Sequence, residues 1–84
     1  MRFFFKNRDE AYRALHEANN LIAVLGCVKV SDLKIMCARS EHPIKEDDVW
    51  LIWTDAKDWR VSHTVSGEYT LITTEPRRDR VYRS

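Results

Sequence analysis

Glycine, proline and cysteine each occur only twice in this chain of 84 residues, and two of these scarcities exclude functions directly. With glycine confined to Gly26 and Gly67, there is no Gly-rich phosphate loop and no Gly-x-Ser-x-Gly nucleophile elbow. Cys27 and Cys37 are too few for the disulfide framework of a small secreted domain. Both lie among apolar neighbours and read as free thiols acting as small hydrophobes, although a bridge stays open because sequence does not give a Cα separation. Structural zinc takes four ligands in close pairs, a pattern that these cysteines and the scattered His16, His42 and His63 do not make. No apolar run approaches the ~18–20 residues of a membrane helix. Phe3-Phe4-Phe5 is too short for the apolar region of a signal peptide. The expectation is a cytoplasmic protein off the membrane, with no metal, no cofactor and no catalytic set.

What is present suits a globular chain. A hydrophobic share of 44% argues against disorder, and the length fits one domain. The net charge of +1 does not by itself point to nucleic acid, but its distribution is uneven. Between positions 41 and 58, Glu41, Glu46, Asp47, Asp48, Asp55 and Asp58 face only Lys45 and Lys57. Near the C-terminus, Arg77, Arg78, Arg80 and Arg83 face only Asp79. The pattern predicts a domain over 1–76 and a basic tail over 77–84, with an acidic end and a basic end.

Periodicity predicts an α+β fold. Three consecutive phenylalanines favour a strand from Arg2 to Lys6. Asn7 or Asp9 opens a helix whose stripe is Ala11, Ala14, Leu15, Ala18, Ile22 and Leu25, and Gly26 stops it. Val28 to Val30 is extended, and Ser31 caps a short helix carrying Leu33, Ile35, Met36 and Cys37. The polar stretch from Arg39 to Asp48 contains His42-Pro43 and reads as an irregular loop. Strands follow over 49–54, 59–65 and 69–74, with a Ser66-Gly67 hairpin between the last two and Pro76 ending the pairing. Together they make one longer and one short helix packed on a three- to four-stranded antiparallel sheet.

Four stretches carry a resemblance. Phe5-Lys6-Asn7-Arg8-Asp9-Glu10-Ala11 opens the helix, and Gly26-Cys27-Val28-Lys29-Val30-Ser31-Asp32-Leu33 follows it. Trp53-Thr54-Asp55 and Gly67-Glu68-Tyr69-Thr70-Leu71 complete the order. On these the chain resembles a small α+β module of phage and mobile-element proteins. Ile52 stands where that pattern has glycine, and Cys37 where its second helix ends in glycine. The resemblance implies a shared fold and a setting, and it carries no activity with it.

Trp50, Trp53 and Trp59 lie among Asp47, Asp48, Asp55 and Asp58, a denser cluster of indoles than a small sheet needs for its core. Period-2 alternation puts Trp50 and Trp53 on opposite faces of one strand, so at least one is expected to face a partner. These seven residues form the candidate partner-binding site, indoles as anchors and carboxylates as mimics of a phosphate backbone. His63, on the same face as Trp59, reads as a half-buried structural residue. The expected function is a non-enzymatic, stoichiometric inhibitor of a host protein complex, of the anti-CRISPR kind. The alternative is a small nucleic-acid-binding regulator using Arg77, Arg78, Arg80, Tyr82 and Arg83. Open sheet edges also allow a homodimer.

Overall fold

Residues 1–79 are described in the computed structural model. The run of phenylalanines forms β1 (Arg2–Phe5), and the chain then turns into α1 (Arg8–Leu25). Asn7 caps that helix, its side-chain oxygen accepting from the Glu10 N–H at 2.9 Å, and Asp9 and Glu10 place negative charge in the first turn. Gly26 ends it in the left-handed conformation (φ 86°), its N–H bonded to the Ile22 carbonyl. Next come β2 (Val28–Lys29) and α2 (Val30–Met36), then β3 (Arg39–Ser40) and a 3-10 turn (Glu46–Val49). The chain continues through β4 (Leu51–Trp53), β5 (Arg60–His63), β6 (Tyr69–Ile72) and β7 (Arg77–Arg78).

The two helices pack on two antiparallel sheets, ordered β3-β1-β6-β5 and β2-β4-β7. The α+β class is as the pattern implies, but the single meander is not. The β5–β6 hairpin is present, closed through Gly67 (φ 95°), whereas β4 pairs with β2 and β7 instead of β5. Trp59, in the connection between β4 and β5, turns its side chain into the core. The phenylalanine strand takes a central place, paired with β6 on one side and β3 on the other.

Smaller differences have local causes. The loop expected over 39–48 holds a strand and a 3-10 turn, because the Ala38 N–H bonds the Phe4 carbonyl and the Asp48 carboxylate accepts from the Lys45 N–H. The short helix starts one residue before Ser31, where the Asp32 carboxylate accepts from the Lys29 N–H. Pairing resumes after Pro76, so Arg77 and Arg78 belong to a strand instead of a free tail, and the fold runs through buried Asp79. Both cysteines are half-buried free thiols. Among the described residues no helix is long and apolar enough to cross a membrane.

Pairing fixes what each face of the larger sheet carries. Phe3, Phe5, Leu71 and Tyr69 point toward α1 and meet its alanines, Ala11, Ala14 and Ala18. Alanine at these positions lets the helix approach the bulky phenylalanines closely. Leu25, expected in the stripe, is 68% exposed at the end of the helix, one position before Gly26. Leu71→Ala therefore costs about 2–5 kcal/mol, as for a fully buried leucine, while Leu25→Ala stays within about 0.5 kcal/mol. Urea denaturation of the two variants checks the contrast.

Candidate functional site

The tryptophan–aspartate segment divides into an internal part and a displayed part. Trp53 and Trp59 are 3% and 7% exposed, which removes them from the candidate interface. Their rings meet edge to face at 4.9 Å and 79°, and Trp53 meets Phe3 of the other sheet at 6.2 Å and 76°. The Trp53 indole N–H donates to the Thr74 carbonyl at 2.8 Å, and the Trp59 indole N–H donates more weakly to the Thr74 hydroxyl at 3.4 Å. An indole has a large apolar surface and one polar atom to satisfy. Here both needs are met inside the protein.

Asp48 is also internal. Its carboxylate lies 3.0 Å from the Lys34 ammonium, with side chains 3% and 2% exposed. The same carboxylate accepts from the Lys45 N–H at 2.8 Å, and the ammonium donates to the Pro43 carbonyl at 2.8 Å. Every long-range tie here runs between α2 and the 43–48 segment. The pair anchors that segment, and it does so through Lys34, a residue that sequence reasoning passed over. A lysine in a short helix gives no sign that its charge is buried.

What the anchored segment displays is different. Glu46 and Asp47 are exposed on the 3-10 turn, flanked by Ile44 at 64% and Val49 at 40% exposure. Trp50 closes the turn, half-buried, its N–H bonded to the Asp47 carbonyl and its carbonyl accepting from the Asp79 N–H. Asp55 and Asp58 are exposed but follow β4, whereas Asp47 precedes it. A three-residue strand, about 10 Å long, stands between the two acidic groups.

The acidic and basic ends are neighbours. Strand β7 pairs Arg77 with Ile52 and Arg78 with Leu51, and Asp55, Glu75 and Arg77 line one shallow depression. Arg77 and Arg78 are exposed; Arg80, Tyr82 and Arg83 lie outside the described residues. His63 is exposed, stacked on Tyr69 at 4.5 Å and 12° at the sheet edge, instead of half-buried.

Among the described residues, no three His, Cys, Asp or Glu side chains are placed to hold a metal ion. Burial lifts the Cys37 thiol above its usual range, outweighing the opposing pull of its backbone hydrogen bond and of Lys34. A thiol so placed is a poor nucleophile at neutral pH. Comparison with family models, with curated proteins and with solved structures finds no match for this chain.

The Lys34–Asp48 pair can be tested apart from any function. Removing one partner strands a buried charge, so Lys34→Ala or Asp48→Ala costs about 3–5 kcal/mol. The Lys34→Met/Asp48→Leu double variant recovers most of that loss, because no charge is then left buried. Urea denaturation of the three variants measures both effects.

Proposed function

We propose that the chain is a non-enzymatic binding protein of a phage or mobile element, acting in the bacterial cytoplasm as a stoichiometric inhibitor of a host protein complex. The observation that carries the reading is the 44–50 segment: exposed Ile44 and Val49 flank Glu46 and Asp47 on a segment tied down from below by Asp48. Exposed aliphatic groups rimmed by charge are typical of a docking surface. These ties matter because a turn already ordered loses little further entropy on binding.

The mechanism follows from that composition. Ile44 and Val49 insert into shallow apolar recesses of the partner. Glu46 and Asp47 pair with arginine or lysine side chains that would otherwise hold a phosphate backbone. Occupying those cations excludes the nucleic acid without any chemical step. The resemblance to small phage and mobile-element proteins supports the setting, and the exposed 44–50 segment, an acidic ridge, supports the mode of action. Of the seven candidate residues, Asp47 and Trp50 remain at the surface of this segment, while Asp48 serves it from inside.

The tagged full chain, incubated with nuclease-treated bacterial lysate, is expected to retain one protein complex in fixed stoichiometry. Glu46→Lys/Asp47→Lys and Ile44→Asp are each expected to release it at least about ten-fold more readily, on the scale of a lost interface hot spot. Asp55→Lys/Asp58→Lys, beyond the far end of β4, is expected to retain it. Retention that needs nucleic acid, or that ignores the 44–47 substitutions, contradicts the proposal.

A further inference from the structure

The face of the larger sheet that turns away from α1 has no covering element among the described residues, and its composition is unlike that of the acidic ridge. The register sets two rows across it. One reads Arg2, Ile72, Arg60, and the other Arg39, Phe4, Thr70, Ser62. All three arginines are exposed, and Phe4 and Ile72 are half-buried between them. Arg2 and Arg60 make no ion pair among the described residues. Adjacent strands lie ~4.8 Å apart, so the backbone positions of Arg2 and Arg60, two strands apart, stand about 10 Å from each other with Ile72 between. Arg39 is held in place, its guanidinium 4.0 Å over the Phe4 ring and 2.6 Å from the Glu68 carboxylate.

A second observation points to the same face. A depression of about 230 Å³ opens there, lined by Arg2, Phe4, Ser62, Thr70 and Ile72 among others. Thr70 is 3% exposed, and its hydroxyl is the buried side-chain polar atom left without a hydrogen-bond partner among the described residues. Buried hydroxyls are ordinarily paired, so an unpaired one at a binding face marks a position for a ligand's polar group.

We propose that this sheet face binds single-stranded nucleic acid. Arg2 and Arg60 take backbone phosphates, Ile72 and the Arg39 guanidinium seated over the Phe4 ring offer a bed for bases, and Ser62 and Thr70 hydrogen-bond to the strand. Cations interleaved with apolar and aromatic side chains on an open sheet are the composition that a splayed strand needs. An acidic peptide would satisfy the arginines but would leave the bed unused. A duplex buries its bases and would do the same. This site is separate from the acidic ridge and from Arg77 and Arg78, which belong to the smaller sheet.

Fluorescence anisotropy of a labelled single-stranded oligothymidylate, titrated with the full chain over a salt series, tests the assignment. Binding is expected, weakening as salt rises. Arg2→Gln/Arg60→Gln is expected to weaken it at least about ten-fold and to lower the log–log salt slope by about 1.4, at ~0.7 per lost phosphate contact. Both side chains are exposed, and an unchanged melting temperature shows that the fold is kept. Arg8→Gln/Arg13→Gln removes the same charge from α1 and is expected to stay within about two-fold of the parent. The proposal is overturned by the absence of binding, by equal losses in the two double variants, or by a loss confined to Arg77→Gln/Arg78→Gln. Competition by polyglutamate as strong as that by unlabelled oligothymidylate overturns it too.

Discussion

Phe3, Trp53 and Trp59 meet edge to face in one chain of contacts, and nearly every other feature of the molecule depends on that chain. Phe3 belongs to one sheet and Trp53 to the other, while Trp59 lies in the connection that carries the polypeptide back to the first. Edge-to-face pairs contribute about 0.5–1.5 kcal/mol each beyond the area they bury. In a chain this short, which buries only about 60% of its extended surface, that is a meaningful share of the total. Both indole N–H groups reach Thr74, between β6 and β7, so the same cluster fixes where the chain crosses to the smaller sheet.

With Trp53 and Trp59 committed to the interior, two charged regions stand out on the surface. The Lys34–Asp48 pair sits beneath the 44–50 segment and holds Glu46 and Asp47 outward beside Ile44 and Val49. The uncovered face of the larger sheet presents Arg2, Arg39 and Arg60. A net charge of +1 thus conceals two surfaces of opposite sign on different elements. On the two proposals above, such a molecule would meet a target made of both protein and nucleic acid, with the ridge addressing cations and the sheet addressing phosphates.

Much of the fold was legible because local signals agreed with the tertiary result. Asn7 and Gly26 cap the long helix as their chemistry implies, and Gly67 closes the one true hairpin. The errors arose where long-range pairing decides. Nothing local to Leu51–Trp53 says that its partners are Val28–Lys29 and Arg77–Arg78 instead of the following strand. Alternation likewise assigned Trp50 to a strand, when Asp48 had already drawn the preceding residues into a 3-10 turn. Asp48 itself was misplaced because charge normally signals exposure, and its burial depends on a lysine fourteen positions earlier. The arginine face went unread for a different reason. Arg2, Arg39 and Arg60 are far apart in sequence, and only the β3-β1-β6-β5 order brings them to one surface.

Hydrogen exchange at the tryptophan indole N–H groups, followed by NMR, tests most directly whether the aromatic cluster is the structural centre instead of an interface. The Trp53 indole proton, bonded to Thr74 and sealed from solvent, should exchange only as fast as the whole protein unfolds, with the same denaturant dependence as amides of the Phe3–Leu71 pairing. Exchange of that proton at the rate of a free indole, with the sheet amides still protected, would contradict the account. It would return Trp53 to the surface and the tryptophans to the list of binding residues.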